Sequence, residues 1–129
     1  PNRTNDQIFT NTAGEPVRLV DLATQRSGLP RLASNMLPRD AKNPYADYTE
    51  ADLLDFIKNF TATRARNAQY EYSNIGFGLL GYALVRAANA DSFDALLTER
   101  VLKPLAMTST TGSARYMISR HQCARLSAS

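Results

Sequence analysis

The sequence predicts a mainly α chain with long irregular loops and at most one short β hairpin near the N-terminus. Two stretches carry the helical prediction: after Thr49 apolar residues recur at helical spacing, and from Asn74 a strongly apolar run continues for several turns. The intervening segments are rich in Pro, Gly, Asn and Asp, which are typical of turns and loops.

The N-terminal segments combine short apolar pieces with turn signals. Residues 8–9 and 17–19 could be extended on either side of a turn at residues 13–16. Residues 20–24 suit a short helix. We therefore expect the hairpin, if it forms, to lie before residue 20.

A long loop follows this short helix. Gly28 permits an unusual backbone conformation and Pro30 prevents helix continuation. Residues 31–48 contain further Pro, Asn and Asp residues and are predicted to be irregular. We expect the aromatic side chains of Tyr45 and Tyr48 to fasten this loop to the core.

The next helix is predicted to begin after Thr49. Thr49 and Asp52 nearly match the capping-box pattern, with Asp in place of Glu. The apolar stripe of this helix consists of Leu53, Leu54, Phe56, Ile57 and Phe60. A polar connection over residues 62–70 follows, in which Asn67 suits a left-handed turn.

The apolar stretch from Asn74 to about Ala88 is predicted to be a central helix. Its glycines at positions 76, 78 and 81 each lower helix propensity, so close approach of another backbone is expected. The alternative is that the Tyr-Ser-Asn corner distorts the first turn. Asp91 or Ser92 then caps a helix reaching about Leu102. Its expected buried face consists of Phe93, Leu96, Leu97 and Val101. A further short helix is possible at residues 119–127.

Composition limits the function classes. The 129 residues carry a net charge of +3, with scattered basic residues and no basic stripe, so no nucleic-acid partner is expected. Cys123 is the single cysteine and His121 the single histidine, so neither a disulfide nor a zinc site is expected, and a reactive Cys123–His121 pair is a weak alternative. No metal and no cofactor is predicted. The apolar run at 75–85 is too short to span a membrane.

Tyr72 and Asn74 stand two residues apart at the start of the apolar helix. Both side chains can therefore emerge at a helix N-terminus, which makes them the candidate catalytic residues. A structural tyrosine at a helix start is the simpler alternative for Tyr72.

At residues 21–30, 70–81 and 101–108 above all, the sequence resembles the class C β-lactamase-like serine hydrolases, a family of β-lactamases, D-alanyl-D-alanine carboxypeptidases and esterases. Asp-Leu-Ala-Thr-Gln-Arg-Ser-Gly-Leu-Pro at residues 21–30 is similar to the family's Leu-Thr-His-Thr-Ser-Gly-Leu-Pro. Val-Leu-Lys-Pro-Leu-Ala-Met-Thr at residues 101–108 is similar to its Pro-Leu-Gly-Met-Thr. Further similar runs lie at residues 43–49, at residues 70–81 around Tyr-Ser-Asn, and at residues 122–126.

The resemblance implies the helical domain of the β-lactamase/transpeptidase-like fold, with residues 1–129 as a single domain. Family members carry Ser-x-x-Lys and Lys-Thr-Gly on an α/β domain. Neither motif occurs in these 129 residues, whose lysines are Lys42, Lys58 and Lys103. By resemblance, Tyr72 would help manage the proton of the attacking serine, and Asn74 would hydrogen-bond the lysine or a substrate amide. Without nucleophile or oxyanion donors, the chain is expected to be inactive alone.

Three hypotheses follow. The chain is a fragment or separate domain of such a hydrolase, or one chain of a split hydrolase acting on β-lactam, peptide or ester bonds, or a stand-alone binding module. Removal of the α/β domain would expose an apolar face, so self-association as a homodimer or a domain-swapped assembly is expected. Family members are commonly periplasmic or secreted. No signal peptide is seen, and the chain starts at Pro1 without Met, which indicates a mature form or an excised piece.

The chain also departs from the family pattern. Gln25-Arg26 replaces the usual His-Thr before Ser27. Asn67 and Asn89 stand where Gly is common, and Ala106 replaces the Gly of Gly-Met-Thr. We expect strain or a reshaped turn at Ala106.

Overall fold

A computed structural model of the chain describes residues 7–10, 16–62, 64–65 and 67–112. The chain forms two compact units, residues 1–81 and residues 82–129. Most of the regular structure in the described residues is helical, as the sequence predicts. The predicted turn at residues 13–16, the predicted helix at residues 119–127, and Cys123 and His121 lie wholly or largely outside the described residues.

The first unit begins with a two-stranded antiparallel pairing. β1 (Gln7–Thr10) pairs with β2 (Pro16–Arg18), which confirms the expected hairpin-like start. Helix α1 (Leu19–Ala23) follows β2 directly. The Asp21 carboxylate accepts the Arg18 backbone N–H at 3.0 Å, so an acidic side chain caps this short helix at its N-terminus.

Helix α2 (Glu50–Asn59) begins as its capping box predicts. Thr49 N donates to Asp52 Oδ2 at 2.8 Å, and Asp52 N donates to Thr49 Oγ1 at 3.3 Å. The buried side of α2 carries Leu53 and Phe56, and Phe56 packs on Phe60 with ring centroids 5.2 Å apart. Leu54 is 45% exposed, so not every residue of the predicted apolar stripe is buried.

The loop before α2 is fastened to that helix by Tyr48. Its hydroxyl donates to Asn35 Oδ1 at 3.0 Å and to the Asp52 carbonyl at 3.2 Å. Asn35 Nδ2 donates to the same carbonyl at 2.8 Å. This confirms the expected role of Tyr48, while Tyr45 makes a different contact that is described with the site.

Helix α3 (Asn74–Ala87) matches the prediction closely in its bounds. Ile75, Gly76 and Leu79 are buried, whereas Phe77 is 51% exposed and Leu84 is 41% exposed. Burial of α3 is therefore confined to one side, although most of its side chains are apolar.

The core of the first unit gathers residues from every described element after β1. Leu22 and Leu29 are almost completely buried, and each such side chain contributes about 1.5–3 kcal/mol relative to an exposed one. The other buried apolar residues are Val17, Ala33, Leu53, Phe56, Ala62, Ile75 and Leu79. Leu22, Leu29 and Ile75 are close in sequence to residues that line the candidate site, so buried core residues flank the segments that carry the site.

The second unit contains helix α4 (Phe93–Leu97), which continues into a π-helical turn, Thr98–Leu102. Ser92 Oγ accepts the Ala95 N–H at 3.1 Å, so Ser92 is the predicted cap. Leu102 is buried, but Phe93 is 49% exposed and Val101 is 39% exposed. The prediction that these two side chains are buried is wrong, because helical periodicity identifies an apolar face but not what covers it.

Left-handed backbone occurs at most of the expected positions. Asn67 (φ 62°), Asn89 (φ 49°) and Gly28 (φ 80°) have positive φ, as their residue types predict. Ala106 (φ 51°) also has this conformation, which confirms strain at the position where the family has Gly. Gln25 (φ 60°) was not anticipated. In the described part of the chain, no helix is both long enough and apolar enough to cross a membrane.

Candidate active site

Two segments of the first unit, residues 25–31 and the described residues of 64–75 (64–65 and 67–75), lie side by side and build the corner that carries the candidate residues. Asn67 N donates to the Arg26 carbonyl at 3.0 Å, and Glu71 N donates to the Gln25 carbonyl at 2.8 Å. Arg64 and Glu71 form an ion pair within the second segment. The approach to α3 is therefore fixed by backbone hydrogen bonds to a distant part of the sequence.

Gln25 joins the two segments a second time through its side chain. Its Oε1 accepts the Ser73 backbone N–H at 2.7 Å, while its own carbonyl accepts from Glu71. Gln25 is only 8% exposed, and its positive φ turns both acceptors toward the same strand-like segment. A buried N–H without a partner costs about 1–3 kcal/mol, so this bond stabilises the corner.

Ser73 caps α3 and points into the protein. Its Oγ donates to the Pro30 carbonyl at 2.7 Å and accepts the Gly76 N–H at 2.9 Å. The residue is 1% exposed. Because its hydroxyl is buried and engaged on both sides, the serine of Tyr-Ser-Asn is a structural N-cap and not an available nucleophile.

Tyr72 and Asn74 emerge on the other side. Asn74, the first residue of α3, is partly exposed, whereas Ser73 between the two is buried. Tyr72 is 54% exposed, with the Arg31 guanidinium 5.9 Å from its ring centroid. Asn74 N donates to the Arg31 carbonyl at 3.0 Å, and Asn74 Nδ2 donates to the Tyr45 hydroxyl at 2.8 Å.

These side chains open into a pocket of about 400 Å³. Its lining residues are Gln25, Tyr45, Tyr72, Ser73, Asn74 and Phe77. The lining offers phenol hydroxyls, carboxamides and an aromatic ring; of the residues that the structure describes here, none carries an ammonium, an imidazole or a carboxylate. Such a surface can hydrogen-bond and stack on a ligand, but it holds no side chain suited to covalent attack.

The two predicted site residues thus line one pocket, together with residues that the sequence analysis did not assign to the site. Gln25 attracted notice only as a departure from the family pattern, and its hydrogen bond spans 48 positions. Tyr45 was expected to anchor a loop, but it contacts Asn74. No local pattern marks either contact, since each depends on how distant segments pack. Arg31 likewise contacts Tyr72 only through the fold.

Comparison with known proteins gives consistent matches. A family model described as Beta-lactamase matches residues 5–115. The D-alanyl-D-alanine-carboxypeptidase/endopeptidase AmpH of Escherichia coli K12 is 33% identical over 114 residues, which are 88% of this chain and 28% of that protein. The AmpH of Escherichia coli O157:H7 matches equally well.

A solved structure agrees with these relatives. The β-lactamase/D-alanine carboxypeptidase of Yersinia pestis, crystallised with citrate, is similar with a TM-score of 0.66 and 29% identity. The match covers 84% of this chain and 31% of that one. The chain thus spans less than a third of the length of these relatives, namely 28% and 31%. With a family model matched over most of its residues, this chain belongs to the β-lactamase family.

Proposed function

We propose that residues 1–129 correspond to the helical domain of a β-lactamase-like serine hydrolase and supply its Tyr-x-Asn element, Tyr72 and Asn74. The observation that carries this proposal is the corner itself: the two side chains share one open pocket while Ser73 between them is buried. We further propose that these residues do not catalyse hydrolysis alone. The substrate would be a β-lactam, a peptide or an ester, bonds that share the same acyl-transfer chemistry.

The proposed roles follow from the chemistry of acyl transfer. A serine hydroxyl must lose its proton to attack a carbonyl, and a positioned base lowers the barrier to that step by accepting the proton. Tyr72 would take part in this transfer beside a lysine. Asn74 would hydrogen-bond the lysine or the substrate amide. The Ser-x-x-Lys motif, which would supply the attacking serine and this lysine, does not occur in these 129 residues, so we expect no acyl-enzyme to form on them.

A chimaera tests this proposal. This chain would replace the matching region of the Escherichia coli relative, and acylation by a β-lactam probe would be followed. We expect the wild-type chimaera to be acylated. In the Tyr72→Phe chimaera the acylation rate should be about 10²–10⁴-fold lower, because a proton-transfer group is lost. Tyr70→Phe is the matched control, because Tyr70 is 60% exposed and lies outside the pocket lining. Equal acylation of the wild-type and Tyr72→Phe chimaeras would contradict the proposal.

We also propose that the 129-residue chain self-associates. In the second unit, exposed apolar side chains that include Leu84, Phe93 and Val101 line one open apolar hollow of about 740 Å³. A contiguous exposed apolar surface of this kind favours association. This supports the expectation of a homodimer, and its test is given in the Discussion.

A further inference from the structure

Asn74 has one hydrogen bond in the structure that bears on how it could act. Its side-chain nitrogen donates to the Tyr45 hydroxyl at 2.8 Å, across 29 positions of sequence. Tyr45 lines the same pocket as Tyr72 and also lines the neighbouring hollow above α2, together with Asn74. The two side chains thus form a shared boundary between the two hollows.

Orientation matters for a carboxamide because its two ends are chemically opposite. The nitrogen offers two donors and the oxygen accepts, so a rotation by half a turn exchanges the two functions. A tyrosine hydroxyl can accept from the nitrogen or donate to the oxygen, so a bond to it fixes where the carboxamide lies and leaves one end of the group for the site. With the nitrogen directed to Tyr45, the Asn74 oxygen is left at the other end of the planar group to accept.

The contacts of Tyr45 suit this task. Its side chain is 51% exposed, so it is not a core residue, and its backbone carbonyl is already engaged by the Tyr48 N–H at 3.3 Å. Tyr45→Phe therefore removes the hydroxyl while it keeps the ring and the backbone turn. On the opposite side, Asn74 is held through its own N–H to the Arg31 carbonyl at 3.0 Å. The Asn74 side chain is thus the part that Tyr45 controls.

We propose that Tyr45 is a positioning residue that holds the Asn74 carboxamide in place through this hydrogen bond, so that the end of the group not bonded to Tyr45 serves the site. This inference deepens the proposed function and rests on it for its catalytic consequence. The hydrogen bond itself does not depend on any activity. The two parts can therefore be tested separately.

The first test is spectroscopic and uses the 129-residue chain. The side-chain NH₂ signals of Asn74 would be identified in a ¹H–¹⁵N spectrum by their loss in Asn74→Ala. Tyr45→Phe is expected to move both signals, because the acceptor of one of these protons is removed, and Tyr70→Phe is expected to leave them in place. Unmoved Asn74 signals in Tyr45→Phe would overturn the proposal, whatever the activity of the protein.

The second test measures acylation by a β-lactam probe in the chimaera with the Escherichia coli relative. Loss of one neutral hydrogen bond predicts a roughly 3- to 10-fold slower acylation for Tyr45→Phe. In an Asn74→Ala background the same substitution should have no effect, since Tyr45 acts through Asn74. A similar loss in both backgrounds, or none in either, would overturn the catalytic part. A chimaera that is never acylated would instead contradict the proposed function, while the spectroscopic result would still decide the hydrogen bond.

Discussion

At the scale of single residues, Ser73 has a structural role, while Tyr72 and Asn74 on either side of it are the candidate site residues. Its hydroxyl bridges the Pro30 carbonyl and the Gly76 N–H inside the protein, while its two neighbours face the pocket. The same residue therefore caps α3 directly between the two candidate site residues, Tyr72 and Asn74. Any change at Ser73 should be read first as a change in stability.

Ser73→Ala is expected to destabilise the chain by about 1–3 kcal/mol, because it leaves a buried carbonyl and a helix N–H without their partner. Urea denaturation measures the change in free energy of unfolding. Ser34→Ala is the control, since Ser34 is exposed and should change stability by no more than about 0.5 kcal/mol. Equal stability of the two variants would show that the cap bonds contribute nothing.

Tyr48 gives a pH-dependent prediction at the same scale. Burial, and secondarily the Asp52 carboxylate, raise the pKa of the Tyr48 hydroxyl above its ordinary value. The folded state then holds this proton more tightly than the unfolded state, so the stabilising contribution is complete below about pH 10 and is lost as pH rises through the folded pKa. Tyr48→Phe should cost about 1 kcal/mol at neutral pH through its lost hydrogen bonds.

The measurement compares Tyr48→Phe with the wild type in urea at neutral pH and again near pH 11. We expect the difference in free energy of unfolding to shrink at the higher pH, because the wild type alone must lose the Tyr48 proton. Tyr70→Phe controls for the general alkaline effect. A difference that stays constant or grows with pH would contradict a raised pKa.

At the scale of elements, the glycines of α3 divide by their surroundings. A Cβ on Gly76 would lie 3.0 Å from Ser73 Oγ and 3.2 Å from Ser73 Cβ, whereas a Cβ on Gly78 would meet nothing within 4 Å. The Ser73 hydroxyl is held on both sides and cannot readily move away. The three nearest atoms at Gly76 all belong to side chains, those of Ser73 and Leu29, so the expected close approach of another backbone is not seen at Gly76 or at Gly78. The crowding at Gly76 comes from the serine of Tyr-Ser-Asn.

This difference makes a matched pair of substitutions. Gly78→Ala should stabilise α3 by up to about 1 kcal/mol through helix propensity. Gly76→Ala should lose that gain and be destabilising, because the new methyl group crowds the cap. Thermal unfolding of both variants checks the order, and an equal gain for the two would mean that the cap can move aside.

The helices also show which structural features can be predicted from sequence patterns. Thr49 with Asp52 identified the start of α2, and the apolar run after Asn74 identified α3, because capping and periodicity are local signals. The exposure of Phe93 and Val101 was not foreseeable, since a stripe of apolar residues does not reveal what covers it. The contacts that Gln25 and Tyr45 make in the site could not be predicted for a related reason: their hydrogen bonds join residues 48 and 29 positions apart.

At the scale of the whole molecule, the exposed apolar side chains of the second unit predict self-association. Light scattering as a function of concentration should give a mass above that of one chain. Phe93→Asp should shift the chain toward the monomer, because it puts a charge into the apolar hollow, while Phe77→Asp, outside that hollow, serves as the control. A wild-type chain that remains monomeric at high concentration would contradict this prediction.

We propose that these 129 residues supply the Tyr72–Asn74 corner of a serine hydrolase site without its nucleophile. Intact-mass analysis after incubation with a β-lactam probe tests it most directly, on the chain alone and on the chimaera with the Escherichia coli relative. We predict no adduct on the chain alone and one adduct on the chimaera, strongly reduced by Tyr72→Phe. An adduct on the 129-residue chain by itself would contradict the account.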